Sequence, residues 1–154
     1  MINVLFVCLG NICRSPMAEA VLRDKLKKQG LEGQITVDSA GTGDWHIGHP
    51  PHEGTRRLLD SHVIGYEGMA ARQVISQDFS AFEYIVCMDE SNLTNLRKIE
   101  GGTEASIIQF MDLLPDETLR EVPDPYFTGN FEEVFDLMDA GCDVLLSKIV
   151  KEKL

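Results

Sequence analysis

The 154-residue chain is poor in basic side chains: 14 Lys and Arg residues stand against 25 Asp and Glu residues, and the net charge is −11. Binding to the phosphate backbone of a nucleic acid needs a basic face, and so does binding to an acidic membrane surface. The charge balance therefore argues against nucleic acid and membrane partners. It also predicts that any anionic substrate is held by local donors in a small, preorganised site.

Long hydrophobic runs are also missing. The first apolar run, residues 4–9, has no basic region before it and is too short for a signal peptide or a membrane span. The few cysteines match no zinc ribbon or finger in their spacing, and free thiols in a reducing compartment are expected of Cys8, Cys13, Cys87 and Cys142. These features predict a cytoplasmic protein.

A metal site is not expected either. His46, His49 and His52 recur at every third residue, but Pro50 and Pro51 lie between them and no acidic ligand is suitably interleaved. The sequence therefore predicts neither a metal nor another cofactor.

What is present is a globular composition, with 44% hydrophobic and 25% charged residues and no repeat or linker. We expect a single domain over residues 1–154. Strand-like apolar segments at residues 2–7, 35–37, 84–88 and 107–110 alternate with helical patterns that begin at Ser15, at Pro50-Pro51, at Ser91 and after an N-cap at Asn130. This alternation predicts an α/β fold with a parallel sheet, and ligands of such sheets bind at the carboxyl ends of the strands.

The loop after the first strand, residues 8–15, carries the candidate chemistry. It leads into the N-terminus of a helix, where free N–H groups and the helix dipole favour an anion. Gly10 and Asn11 tolerate positive φ and allow the N–H groups to point inward, while Arg14 adds a planar fork that matches phosphate oxygens. A phosphate-sized oxyanion is expected to bind along Leu9, Gly10, Asn11, Ile12, Cys13, Arg14 and Ser15.

Cys8 begins this loop and faces its positive field, which favours the thiolate form of the side chain. A thiolate opposite a bound phosphorus is a candidate nucleophile. Ser15 can donate its hydroxyl proton to the Cys8 sulfur, or it can cap the helix by accepting a hydrogen bond from a helix N–H group. Neither a Walker A motif nor a Gly-x-Gly-x-x-Gly motif is present, which makes nucleotide binding a minor interpretation.

Residues 7–20 read VCLGNICRSPMAEA and closely resemble the signature of low-molecular-weight protein tyrosine phosphatases. Residues 38–42, 71–74, 87–93 and 124–126 are similar to further landmarks of that family, in the same order. The resemblance implies a three-layer, flavodoxin-like domain whose four-stranded parallel sheet has the order 2-1-3-4. It also implies a metal-independent enzyme, monomeric or weakly self-associating, that hydrolyses phosphotyrosine in proteins and aryl phosphates through a cysteinyl-phosphate intermediate.

The resemblance assigns three catalytic residues: Cys8 as the nucleophile, Arg14 as the clamp of the transition state, and Asp124 as the acid that protonates the leaving phenolate. Residue chemistry agrees on Asp124, because a phosphatase without a metal needs a proton donor for the leaving oxygen. The same group, once ionised, can activate the hydrolytic water. Pro123 and Pro125 stiffen the chain on both sides of this carboxylate.

Supporting residues are expected at the ends of neighbouring strands. The resemblance implies a hydrogen bond between Ser39 and Asn11. Asp89 is placed either to hold Arg14 in an ion pair or to cap the following helix, and the two roles are compatible. A wall against the aromatic substrate ring is expected from Ile12, Trp45, Tyr126 and Phe127.

Two positions depart from the family pattern. Phe127 stands where a second tyrosine is common, and Met69 stands where vertebrate members have a histidine that supports the loop.

Three alternative functions stay open. Thiol-coupled arsenate reduction on the same fold needs two further cysteines seven residues apart, but the residue seven after Cys87 is Thr94. Protein-arginine phosphatase activity in related bacterial enzymes goes with a threonine at the position of Ile12, and an apolar side chain there suits an aryl ester better. The third alternative is a phosphopeptide-binding module without catalytic activity. The presence of all three catalytic candidates argues against it.

Overall fold

A computed structural model describes residues 1–154, and its secondary structure packs around one sheet. The strands are β1 (Ile2–Cys8), β2 (Ile35–Gly41), β3 (Tyr84–Cys87) and β4 (Ile107–Gln109). All neighbouring strands are parallel, in the order β2-β1-β3-β4. The predicted α/β fold and strand order are confirmed.

Helices cover both faces of the sheet. They are α1 (Arg14–Lys28), α2 (Glu53–Ser61), α3 (Asp78–Ala81), α4 (Glu90–Arg97), α5 (Pro125–Thr128) and α6 (Phe131–Lys153), with a 3₁₀ helix at Phe110–Leu113 after β4. None of the helices combines the length and apolar character that a membrane-spanning segment needs.

The central strand β1 shows why the fold has three layers, with helices on both faces of the sheet, since its side chains are buried in a core on each face. Val4 and Phe6 are fully buried in the larger core with α1 and α6, whereas Leu5 and Val7 are fully buried in a smaller core on the other face with Leu96 of α4. A continuous apolar run is required because neighbouring side chains point to opposite, equally dry faces. This burial fixes the end of β1, and therefore Cys8, relative to the rest of the sheet.

The start of α1 differs from the prediction that Ser15 is its N-cap. The cap position is Cys13, whose side chain makes no capping hydrogen bond, and Ser15 lies inside the helix. Its hydroxyl is instead 3.0 Å from the Cys8 sulfur. The end of α1 is as predicted, since Gly30 follows it in the left-handed region with φ of 69°.

The ends of other helices and strands also differ from the predicted ones. Helix α2 begins at Glu53 and not at the prolines, because the His52 Nδ1 atom accepts a hydrogen bond from the Gly54 N–H at 3.0 Å and caps the helix. Strand β4 ends at Gln109, since the fully buried Phe110 turns into the 3₁₀ helix. Helix α6 has the predicted N-cap, Asn130.

Two short helices, α3 and α5, were not predicted, because four residues are too few to show a helical period. Strand β2 continues to Gly41, beyond the predicted residue 37, and β3 ends one residue before Met88. Helix α4 begins at Glu90, one residue early, because the Asp89 side chain accepts a hydrogen bond from the Asn92 N–H at 2.8 Å.

Candidate active site

The loop between β1 and α1 curls back toward the end of β2. Asn11 has a φ of 56°, in the left-handed region that asparagine tolerates, whereas Gly10 does not adopt positive φ. Of the two residues that were expected to tolerate positive φ, Asn11 alone adopts it. A side chain at Gly10 would be tightly placed, since a Cβ atom there would be 3.0 Å from the His46 ring, which would have to shift slightly.

A cavity of about 300 Å³ opens above this loop. Its floor comprises Cys8, Leu9, Gly10, Ile12, Cys13 and Arg14, and its sides comprise Trp45, His46, Asp124, Tyr126 and Phe127. The structure thus brings all three predicted catalytic residues and the four predicted wall residues to one cavity. His46 was not among the predicted site residues.

Cys8 lies at the bottom of this cavity and is almost completely buried. Its sulfur is 3.0 Å from the Ser15 hydroxyl oxygen, and it accepts a hydrogen bond from the Asn11 main-chain N–H at 3.3 Å. These contacts stabilise a thiolate, because hydrogen bonds donated to a charged sulfur favour the charged form.

Arg14 is held from two sides. Its Nη1 atom donates to Asp89 Oδ2 at 2.7 Å and to the Val122 carbonyl at 3.0 Å, and its Nη2 atom lies 3.5 Å from Asp124 Oδ2. Burial opposes the charge of Arg14, but Cys8, Asp89 and Asp124 outweigh it and raise the pKa of the guanidinium. Arg14 is therefore a permanent cation with a fixed orientation.

Asp124 stands at the edge of the cavity, with about a quarter of its side chain exposed. It is the N-cap of α5, since its Oδ1 atom accepts a hydrogen bond from the Tyr126 N–H at 3.1 Å. The remaining oxygen, Oδ2, faces Arg14. One carboxylate oxygen thus anchors the side chain, and the other lies near the Arg14 guanidinium.

The second cysteine of the loop differs from the first. Burial, with additional repulsion from Cys8 and Asp124, raises the pKa of Cys13 to about 12. Cys13 is therefore a neutral thiol at physiological pH.

Asn11 connects this loop to the rest of the molecule. Its Nδ2 atom donates to the hydroxyls of Ser15 and Ser39 at 2.8 and 2.9 Å, and its Oδ1 atom accepts from the Arg72 main-chain N–H at 3.0 Å. The Ser39 hydroxyl in turn donates to Glu19 at 2.7 Å. The structure thus places Ser39 against Asn11, with Glu19 behind it.

Met69 makes none of these contacts. Its side chain packs against the larger core and lines a small void beside Asn11 and Ser39. The loop is braced instead by Glu19, which is buried and paired with Arg23, and by the Arg72 N–H. Burial raises the pKa of Glu19, although the hydrogen bond from Ser39 and the charge of Arg23 oppose that shift.

The walls of the cavity are far more open than its floor. Ile12 is buried, but Trp45, Tyr126 and Phe127 are 67%, 55% and 78% exposed. His46 lies between the loop and Tyr126, with a ring-centroid distance of 6.5 Å to the tyrosine. The open aromatic side chains leave room for a substrate ring to enter between them.

The three neighbouring histidines have separate contacts. His46 and His49 have ring centroids 5.7 Å apart, whereas His52 caps α2 and stacks on Phe131. In this structure no group of three or more His, Cys, Asp or Glu side chains is arranged to hold a metal ion.

Glu19, Arg72 and His46 were missed in the sequence. Glu19 left a signal, because an acidic residue four positions after Ser15 falls on the same face of α1. The only sequence signal for His46 was its position next to Trp45. Arg72 falls within the landmark at residues 71–74, but its contact with Asn11 left no signal, because that contact is made by a main-chain N–H that every non-proline residue carries.

Comparisons with known proteins agree on one family. Residues 3–154 match the family model described as low molecular weight phosphotyrosine protein phosphatase. The chain is 56% identical to the low molecular weight protein-tyrosine-phosphatase YfkJ of Bacillus subtilis, over 99% of each chain. It is 46% identical to PtpA of Staphylococcus aureus, a protein-tyrosine-phosphatase of the same description, over 99% of this chain and 96% of the relative.

The fold leads to the same result. The crystal structure of YfkJ from Bacillus subtilis superimposes on this chain with a TM-score of 0.97. The match covers 100% of this chain and 98% of the YfkJ chain. The chain therefore belongs to the low molecular weight phosphotyrosine protein phosphatase family and is a protein-tyrosine phosphatase.

Proposed function

We propose that Cys8 is the nucleophile of this phosphatase and that Arg14 binds the transferred phosphoryl group. The Cys8 thiolate attacks the phosphorus of a phosphotyrosine, a sulfur–phosphorus bond forms, and the bond to the phenolic oxygen breaks. The equatorial phosphoryl oxygens bind the Arg14 fork and the main-chain N–H groups of residues 9–15. Asp89 and the Val122 carbonyl support this role, because they hold the guanidinium in place.

Asp124 acts in both halves of the reaction. As an acid it gives its proton to the leaving phenolic oxygen, and as a carboxylate it then takes a proton from the water that attacks the cysteinyl phosphate. The sulfur–phosphorus bond breaks in this second step, which releases inorganic phosphate and restores the Cys8 thiolate. The hydrogen bond from Ser15 stabilises the sulfur as the leaving group.

One observation carries this proposal: Cys8, Arg14 and Asp124 line the same cavity, with the arginine fork 3.5 Å from the carboxylate. An oxyanion bound by the arginine would therefore lie between a nucleophile and a proton donor. Such an arrangement serves hydrolysis of a monoester and is not needed by a module that only binds phosphopeptides.

The decisive test is turnover of aryl phosphates by two variants. Cys8→Ser is expected to abolish turnover and to keep oxyanion binding, because Arg14 and the loop N–H groups remain. Asp124→Ala is expected to lose about 10²–10⁴-fold in rate toward poor leaving groups and much less toward acidic phenols.

Two results would contradict these roles. Turnover by Cys8→Ser would exclude the cysteine as nucleophile. An equal loss of rate for all leaving groups in Asp124→Ala would exclude this residue as the acid of the first step. Asp112→Ala is the matched control, because this carboxylate lies in the 3₁₀ helix after β4 and does not line the cavity.

The net charge of the chain and the shape of the cavity also support an inference about its binding partners. We infer that the substrates are phosphotyrosine-containing proteins, because the deep floor lies beneath open aromatic walls that a tyrosine ring can enter. The net charge of −11 supports a protein that binds neither nucleic acid nor acidic membranes. We further infer a cytoplasmic enzyme, monomeric or weakly self-associating; sedimentation across a concentration series tests the last point.

Arsenate reduction is the weaker alternative. Cys87, which would begin a disulfide relay, is fully buried in β3, and burial raises its pKa to about 12. A buried neutral thiol packs well but attacks poorly. Measurement of arsenate reduction with thioredoxin as the reductant tests this alternative, and no turnover is expected.

A further inference from the structure

The orientation of the Asn11 amide is set from outside the loop. The Arg72 main-chain N–H lies 3.0 Å from one end of this amide, and an N–H group can only donate. That end must therefore be the oxygen, Oδ1. The Nδ2 group must then face the two serine hydroxyls on the other side.

This orientation determines the direction of every hydrogen bond up to the nucleophile. Both protons of the Asn11 Nδ2 group are used by the hydroxyls of Ser15 and Ser39, so each hydroxyl oxygen accepts. Each hydroxyl proton must then be donated elsewhere. Ser39 donates to the Glu19 carboxylate at 2.7 Å, and Ser15 donates to the Cys8 sulfur at 3.0 Å.

The Arg72 side chain fixes the main-chain segment that carries this N–H. Its guanidinium binds both oxygens of Asp78 at 3.0 and 3.1 Å and Asp38 of β2 at 3.2 Å. Asp78 is nearly buried, and the Arg72 carbonyl accepts a hydrogen bond from the Gly41 N–H at 2.8 Å. Arg72 therefore joins the end of β2, α3 and the active-site loop, although it does not line the cavity.

We propose that Arg72 is a positioning residue of the phosphatase, which holds Asn11 so that Ser15 donates its proton to Cys8. The proposal rests on the assignment of Cys8 as the nucleophile. Without the fork to Asp38 and Asp78, the N–H of residue 72 is less well fixed and the Asn11 amide can rotate. Its oxygen would then accept the Ser15 proton, and the Cys8 thiolate would lose a donor.

The test measures the thiolate directly. Iodoacetamide alkylation of Cys8 is followed by mass spectrometry of the loop peptide from about pH 5 to about pH 9, together with kcat and KM. For Arg72→Met we expect the midpoint of alkylation to move to higher pH, with about threefold to tenfold less alkylation below the midpoint. We expect kcat to fall by a similar factor while KM changes little, since the loop N–H groups and Arg14 remain. The alkylation midpoint and the kcat of Arg72→Lys are expected to lie between those of wild type and those of Arg72→Met.

The control is Arg97→Met, whose guanidinium binds the carbonyls of Gly102, Thr103 and Ala105 and has no connection to the loop. Its alkylation profile should match wild type. A double-mutant cycle isolates the pathway, because Arg72→Met should have no further effect on alkylation once Ser15→Ala has removed the donor.

Two results would overturn the proposal. One is a wild-type alkylation profile in both Arg72 variants, whatever their stability. The other is a shift of the alkylation midpoint by Arg72→Met that is equally large in wild type and in Ser15→Ala. Failure of the nucleophile assignment is distinguishable, because in that case Cys8→Ser would itself retain turnover.

Discussion

The floor and the walls of the active-site cavity are built in opposite ways. On the floor, Cys8 and Arg14 are each 3% exposed, and in the same loop Asn11 is 3% exposed and Ser15 is fully buried. Each of these four residues makes a hydrogen bond to another residue of the loop or to Asp89. The aromatic walls are more than half exposed.

On the proposed assignment of the site, this difference separates chemistry from recognition. Phosphoryl transfer needs donors at fixed positions, and burial with mutual hydrogen bonds supplies that precision. A wall that meets varied protein surfaces gains from exposed side chains that can adapt. Substitutions on the floor should therefore change kcat strongly, whereas substitutions in the walls should change KM weakly.

Arg14→Lys tests the floor and has the largest expected effect. Lysine keeps the positive charge but is a point ammonium without the planar fork, and it cannot bind two phosphoryl oxygens while it also reaches Asp89 and the Val122 carbonyl. We expect kcat to fall by about 10²–10³-fold. Steady-state kinetics with an aryl phosphate measure the loss.

The matched control for that change is Arg97→Lys, at an arginine outside the cavity. It should keep the wild-type kcat. A loss of less than about tenfold in Arg14→Lys would mean that charge alone suffices at this position and that the fixed fork is unimportant.

Ile12→Thr tests the boundary between floor and wall, because the Ile12 side chain lines the cavity but is almost fully buried. A phosphoarginine substrate would place guanidinium N–H groups against this apolar side chain, and an unmet donor costs about 1–3 kcal/mol. We expect wild type to prefer phosphotyrosine over phosphoarginine by roughly tenfold to 100-fold, with phosphoserine near background. The hydroxyl that Ile12→Thr introduces should narrow the gap between phosphotyrosine and phosphoarginine peptides.

Ile12→Val is the control for this experiment, since it changes the size of the side chain without adding a polar group. Its ratio of kcat/KM values for the two peptides should stay close to that of wild type. A wild-type preference for phosphoarginine, or an unchanged ratio in Ile12→Thr, would refute this account of selectivity.

The same division explains what could be predicted from the sequence. Strand β1, the following loop and the start of α1 are contiguous, and the buried run followed by Gly10, Asn11 and Pro16 marks them clearly. The choice of Ser15 between two roles was undecidable from the sequence, because its hydroxyl can donate a proton to a thiolate or accept a hydrogen bond from an N–H group at the helix N-terminus. It needed the position of Asn11, which donates to the same hydroxyl.

Features formed by distant segments could not be predicted. The Arg72 N–H that meets Asn11 comes from 61 residues away, and no side-chain pattern marks a main-chain donor. His46 is similar, since the packing of its ring on Gly10 follows from the path of a loop. The prolines at 50 and 51 gave a wrong start for α2 because the imidazole of His52, an uncommon capping group, supplies the cap.

Phe127→Ala tests the walls and should have a smaller effect. The ring is 78% exposed and makes an edge contact with Tyr126 at 5.3 Å, so its removal should change stability little. A lost aromatic contact with the substrate is worth about 0.5–1.5 kcal/mol, and KM for a phosphotyrosine peptide should rise about twofold to tenfold at unchanged kcat. Val144→Ala, at an exposed position of α6, is the control and should leave both constants unchanged. A fall in kcat without a change in KM would place Phe127 with the floor.

Val63→Gly should leave the activity unchanged and raise the stability, because the strain at this position lies outside both the floor and the walls. Val63 follows α2 with a φ of 58° and is 89% exposed. The main chain closes the helix there, with hydrogen bonds from the Val63 N–H to the Asp60 carbonyl at 3.1 Å and from the Ile64 N–H to the Leu59 carbonyl at 2.9 Å. These are the two hydrogen bonds of the Schellman motif, in which glycine is favoured at the left-handed position and a β-branched side chain is disfavoured.

The left-handed conformation costs a non-glycine residue about 1–2 kcal/mol, and glycine gives back roughly 0.5–1 kcal/mol through the entropy of its unfolded chain. The net gain for Val63→Gly should be up to about 1.5 kcal/mol, or a rise in Tm of up to about 6 °C for a chain of this length. The reciprocal change, Gly30→Val, replaces a glycine at φ of 69° with open space around it and should lower Tm by a similar amount. Thermal denaturation and turnover of an aryl phosphate measure both variants. A lower Tm in Val63→Gly would show that the exposed valine side chain contributes contacts that outweigh its backbone strain.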